Sequence, residues 1–331
     1  MRFKTVLLLT AAFLVPCSVI SATTIDPSQI TGIVSFGDSL SDAGNASIAT
    51  LGSEPGPGYA TRAVPGVPFP VGYFTNPQVG GGRTGLWIDQ LAAKLGVADP
   101  SPFLAPGGGT NYAIGSAMTG GANPQDMANQ VGAFLTANLT GALASDLYTF
   151  WGGANDISNG QNPVTAADNI ANEIEAVAAA GGKNVLWLNL PDLGDLPAFS
   201  GNPGGAAAAS LASQAFNLEW ASKVAALDAL GINVIGVDID NLFNNIQADP
   251  GAFGLTDITS PCGLTPGCNP NTSLYWDLEH PTTKGHSLVA NLAFVDVSSV
   301  PEPSTFVLLG TSVIGLAGVL RRRIAQPPAR R

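Results

Sequence analysis

Positive charge is scarce in this sequence. Six of its 13 lysines and arginines, but 23 of its 24 aspartates and glutamates, lie between residues 23 and 300, so this body carries a formal charge of −17. Such a surface repels nucleic acid and anionic membranes and favours neutral or cationic substrates. Cysteine is scarcer still: Cys17 stands in an apolar N-terminal run, which leaves Cys262 and Cys268 at the ends of a short Gly/Pro-containing loop. Two cysteines with no other ligand nearby do not make a zinc site. A disulfide in an exported protein is the expected pairing, and the chain-entropy model gives it roughly 2 kcal/mol, enough to pin a loop but not to hold the fold. Histidine occurs only twice, as His280 and His286, so any imidazole base must come from one short stretch. Internal repeats are absent, and Gly107-Gly108-Gly109 lacks the lysine and spacing of a phosphate loop, which leaves no fingerprint for a nucleotide or flavin.

With 45% apolar and 11% charged residues in 331, the chain has the composition for one sizeable core flanked by processing segments. Met1-Arg2-Phe3-Lys4, an apolar stretch from Thr5 to Ile20 and Ser21-Ala22 have the order of a secretory signal peptide, so residues 1–22 are expected to be removed. At the other end, Val300-Pro301-Glu302-Pro303-Ser304 leads into an apolar run over 305–320, stopped by Arg321-Arg322-Arg323. That pattern predicts a short membrane segment with a cytoplasmic basic tail, although about 20 apolar residues cross a bilayer more comfortably. The folded domain is therefore expected over 23–299.

Within that domain, short apolar runs alternate with alanine-rich helical stretches, as a parallel α/β sheet demands. Strands are expected at 30–36, 147–151, 184–190 and 232–237, with helices at 164–180, 206–230 and 282–294. The region from Gly52 to Gly109 is rich in glycine and proline and reads as loop and crossover, with one helical island at 86–95.

After the first strand comes Gly37-Asp38-Ser39-Leu40-Ser41-Asp42. A serine on a turn at the carboxyl edge of the sheet is well placed as a nucleophile; the lesser reading is a capped turn, with Asp38 or Ser39 satisfying the backbone of the next helix. A hydroxyl needs a base. Asp277 and His280 are three apart, so a single helical turn would let the carboxylate orient the imidazole; His286 reads as a surface or packing residue. Oxyanion donors are offered by Asn155, in Gly152-Gly153-Ala154-Asn155-Asp156, and by the amide of Gly115 in Asn111-Tyr112-Ala113-Ile114-Gly115-Ser116. Either segment alone is explained by an ordinary turn.

The order Gly-Asp-Ser-Leu, Gly, Gly-x-Asn-Asp and Asp-x-x-His resembles the block order of the SGNH, or GDSL, hydrolase family across residues 30–295. The resemblance implies a flavodoxin-like three-layer α/β/α sandwich around a parallel sheet and a serine esterase or lipase chemistry without metal or organic cofactor. It implies Ser39 as nucleophile and first oxyanion amide, Gly115 and Asn155 as further donors, His280 as base and Asp277 as its orienter. Ser116 stands where many members carry a second glycine, so its amide is an alternative to that of Gly115. Tyr73-Phe74-Thr75-Asn76 and Leu86-Trp87-Ile88-Asp89 also look like a block of secreted lipases and esterases. The tail resembles a PEP-CTERM sorting signal, which implies export, transient tethering, processing by an exosortase-type enzyme and release or transfer to the cell surface. Short acyl esters, O-acetylated polysaccharide and lipid esters are the implied substrates, with nucleic acid excluded as a partner. The rival is a surface binding protein with a degenerate site, which the intact set of site residues disfavours.

Overall fold

The computed structural model describes residues 25–78 and 85–299. The leader and the tail expected at 1–22 and 300–331, with Cys17 and the apolar run 305–320, lie outside them. No helix among the described residues is long and apolar enough to cross a membrane.

The elements run β1 (Gly32–Gly37), α1 (Asn45–Ala49), β2 (Ala60–Arg62), β3 (Val71–Tyr73), α2 (Trp87–Leu95), α3 (Met127–Ala137), β4 (Asp146–Trp151), α4 (Ala154–Ser158), α5 (Pro163–Ala179), β5 (Asn184–Leu188), α6 (Pro203–Ala229), β6 (Asn233–Val237), α7 (Ile239–Ala248) and α8 (Thr283–Ser298). β1, β4, β5 and β6 form one parallel sheet in that order, with Gly32 opposite Asp146, Leu147 opposite Asn184 and Asn184 opposite Asn233. The free edge of β1 is covered by the segment around Asn111: Ser35 N–H donates to Thr110 O, and the N–H groups of Tyr112 and Ile114 donate to Ser35 O and Gly37 O.

Alternation along the buried strands sends side chains into two separate cores. Ile33, Leu147, Leu186 and Val237 pack on one side with Trp87 and Leu91 of α2, Phe243 of α7 and Val289 and Ala293 of α8. Val34, Phe36, Tyr148, Phe150 and Trp187 pack on the other with Phe134 of α3, Ile170 and Ile174 of α5 and Phe216 of α6. This is the three-layer α/β/α sandwich. The main departure lies in the glycine- and proline-rich region, where β2 and β3 pair as a small antiparallel hairpin, Ala60 opposite Tyr73.

Candidate active site

Gly37 ends β1 pressed against β4: a Cβ there would lie 2.3 Å from Trp151 O, so only glycine lets the chain turn at this point. The turn is held on both sides. Gln130 of α3 accepts from Gly37 N–H at 2.9 Å and donates to Gly37 O at 2.7 Å. Asp42 takes the N–H groups of Gly44, Asn45 and Ala46 at the start of α1, and Asn45 in turn donates to Asn111 O and Ala113 O. Ser39 therefore sits on a braced turn at the carboxyl edge of the sheet. Asp38 also accepts from Leu40 N–H at 3.0 Å, so the capped turn and a half-buried serine coexist.

His280 reaches this serine from a segment 241 residues away, with Nε2 2.8 Å from Ser39 Oγ. Its Nδ1 lies 2.7 Å from Asp277 Oδ2. Residues 277–280 are not the helical turn expected from their spacing. Asp277 Oδ1 accepts the N–H groups of Glu279 at 2.8 Å and His280 at 2.7 Å, an Asx-type turn that brings the same two side chains together without a helix. The segment before it is tied to the Cys262–Cys268 disulfide loop: Cys262 N–H and Gly263 N–H donate to Tyr275 O and Trp276 O.

Burial alone would lower the pKa of His280, but the hydrogen bond and charge of Asp277, helped by Glu279 and Asp38, leave it raised above 6.5. Burial pulls Asp277 upward, and its bonds to His280, together with the hydroxyl of Tyr59, outweigh that and hold it well below the ordinary carboxylate range. His286 is fully buried, and that burial pushes it down to about 3, so it packs as a neutral ring in the interior near His280 and Phe74.

Asn155 is the second residue of α4, which starts beside the end of β4, and its Nδ2 donates one proton to Ala117 O at 3.0 Å. An amide nitrogen keeps a second proton to offer. The N–H of Gly115 is engaged elsewhere, donating to Asp42 Oδ2 at 2.8 Å, so the turn that carries Ser39 itself consumes that donor. Ser116, next in the chain, holds φ at 62°, and its N–H has no acceptor among the described residues. Position 115 must still be glycine, because a Cβ there would lie 2.8 Å from the ring of Phe74.

Beside Ser39, Asn155 and His280 opens a pocket walled by Trp151, Leu190, Leu193, Leu196, Phe243 and Tyr275. Two contacts to Asp277 and His280 come from the glycine- and proline-rich region, where the sequence marked Phe74 only as part of a family-like block and Tyr59 not at all. Phe74, just after β3, lies tilted against the His280 ring with centroids 5.0 Å apart, and the hydroxyl of Tyr59, just before β2, donates to Asp277 Oδ2 at 2.6 Å. Among the described residues no group of three or more His, Cys, Asp or Glu side chains is arranged to hold a metal ion.

Several curated relatives match most of this chain. Esterase EstA of Pseudomonas aeruginosa is 30% identical over 81% of this chain and 47% of its own length. An uncharacterized protein from the trpE-trpG intergenic region of Pseudomonas putida is 29% identical over 82% of this chain and 49% of its own length. The thermolabile hemolysin of Vibrio parahaemolyticus is 26% identical over 84% of this chain and 66% of its own. The chain thus spans about half the length of the first two. Residues 299–323 match the PEP-CTERM protein-sorting motif. Residues 33–293 match the model for GDSL-like lipase/acylhydrolase, a stretch that runs from β1 through Ser39, Asn155 and His280 into α8, and the chain belongs to that family.

Proposed function

We propose that this chain hydrolyses carboxylic esters through an acyl-enzyme on Ser39. The observation that carries the reading is the continuous hydrogen-bonded chain from Ser39 Oγ through both ring nitrogens of His280 to Asp277 Oδ2, at 2.8 and 2.7 Å. Ser39 Oγ attacks the ester carbonyl while its proton passes to His280 Nε2, and Asp277 fixes the tautomer and balances the imidazolium. The oxyanion is met by the N–H groups of Ser39 and Ser116 and by Asn155 Nδ2. His280 then protonates the departing alcohol, water attacks the acyl-serine with His280 again as base, and the acid leaves.

The apolar pocket beside Ser39 supports a short acyl chain as the acid part of the substrate, and O-acetyl groups on an extracellular polysaccharide are the second reading, which the sorting motif supports. Residues 1–22 act as an export signal, 23–299 as the hydrolase, and 300–331 as a tail that tethers the chain until an exosortase-type enzyme cuts it. No metal or organic cofactor enters any step. The test is hydrolysis of p-nitrophenyl esters of increasing chain length beside acetylated polysaccharide, with Ser39→Ala as control. Turnover that peaks at short acyl chains and vanishes in the control supports the reading. A folded wild-type protein that binds these esters without cleaving them would make it a binding protein instead.

A further inference from the structure

The carboxylate that orients His280 is shared. Asp277 Oδ2 accepts from Tyr59 Oη–H at 2.6 Å and faces His280 Nδ1 at 2.7 Å, while its other oxygen takes two backbone N–H groups. Tyr59 is placed for this by the small hairpin. It immediately precedes β2, Ala60 pairs with Tyr73, and Ala60 N–H donates to Thr75 O at 2.9 Å. The same hairpin delivers Phe74 to the His280 ring, and the Tyr59 ring stands edge-on to both Phe74 and Trp276, with centroids 6.4 and 6.5 Å away. The phenol is thus held at both ends, its ring among aromatics and its hydroxyl on the carboxylate.

Resting on the esterase reading, the geometry points to Tyr59 as a positioning residue that holds Asp277 Oδ2 against His280 and, by competing for that oxygen, limits how strongly the carboxylate stabilises the imidazolium. A second donor on one oxygen draws off electron density that would otherwise meet the imidazolium alone. Burial, reinforced by the Asp277 carboxylate, pushes the Tyr59 hydroxyl far above 10, so it stays a donor throughout the working pH range. Glu279 and Glu54 also face this hydroxyl, Glu279 and Asp38 face His280, and His286 behind it stays neutral; none of these changes when the phenol oxygen alone is removed.

The experiment is the pH dependence of kcat/KM of the full chain on p-nitrophenyl butyrate. In Tyr59→Phe the ring contacts remain and only the donor goes. The acid limb should move upward by about half to one pH unit, with KM unchanged and the high-pH plateau kept within about threefold. Placing 3-fluorotyrosine at position 59 alone, a stronger donor of nearly the same shape, should move the limb downward, and this arm decides the matter if the phenylalanine variant does not fold. A limb unmoved in the fluorotyrosine protein, or a plateau lowered in Tyr59→Phe at every pH with no displacement, overturns the inference and leaves Tyr59 a packing residue. Ser39→Ala in the same assay separates the two readings, because retained turnover there sinks the esterase mechanism itself.

Discussion

At the scale of single residues, the proposed mechanism takes the reacting oxygen from Ser39, whose side chain adds little to the packing. Ser39→Ala should abolish ester hydrolysis while leaving the thermal midpoint within a degree or two, and a variant with wild-type turnover would rule Ser39 out as nucleophile. Asn155→Ala removes one of several oxyanion donors and should cost about a hundred- to a thousandfold in turnover. His280 must be neutral to take the serine proton, and Asp277 holds its pKa above 6.5. Activity should therefore fall as the pH drops through a limb lying above 6.5, and kcat/KM that stays flat down to pH 5 would remove His280 from the role of base. His286 is buried and held neutral, so His286→Gln should lower stability without moving that limb.

At the scale of elements, the site depends on glycines that admit close approaches. Gly153, the N-cap of α4, holds φ at 108°, and a Cβ there would lie 2.5 Å from the ring of Phe216. Gly153→Ala should destabilise the fold by about 1–3 kcal/mol and reduce turnover by displacing Asn155 at the start of α4, measured as a lower thermal midpoint and a lower kcat. Unchanged values would mean that α4 adjusts freely. The sheet and its large helices were legible because β1, β4, β5 and β6 are continuous apolar runs set between alanine-rich stretches. The hairpin was not, since β2 and β3 are three residues each in a region without periodicity, and its contacts with Asp277 and His280 span more than two hundred residues of chain. α7 did leave a signal, with Asp238 capping Asn241 N–H ahead of Ile239, Leu242, Phe243 and Ile246 at helical spacing. The spacing of Asp277 and His280 pointed to two side chains that do meet, but not through a helical turn, because side-chain acceptance of backbone N–H groups brings them together as well as a helical turn would. The commitment of Gly115 N–H to Asp42 depends on how two distant turns pack, which no local pattern encodes.

For the whole molecule, buried carboxyls set the response to pH. Burial pushes Asp38 up to about 7, Asp296 up to about 6 and Glu173 well above its ordinary value. Their contribution to stability is fully present below the unfolded values of 3.8 and 4.5 and is lost as the pH rises through the folded ones. His286 acts in the opposite sense, its share present above 6.5 and lost as the pH falls toward 3. Asp42, pushed up to about 6 by burial, acts in the same sense as these carboxyls, so more groups lose stability on the alkaline side than on the acid side, and the −17 charge of the body adds repulsion at high pH. The thermal midpoint should be higher at pH 5 than at pH 8, and the reverse order would contradict these protonation states. The tail makes a separate prediction: intact mass of the protein recovered from its native host should show cleavage near residues 301–305, whereas a mature chain retaining Arg321 to Arg331 would indicate a plain anchor.

The central claim is that Ser39, activated by His280, forms the covalent acyl intermediate, and a fluorophosphonate ester that traps activated serines tests it most directly. Peptide mapping of the labelled protein should place one adduct on Ser39, with labelling lost in His280→Gln and blocked by prior incubation with a p-nitrophenyl ester. An adduct on another serine, or labelling of Ser39 that is indifferent to His280, would contradict the account.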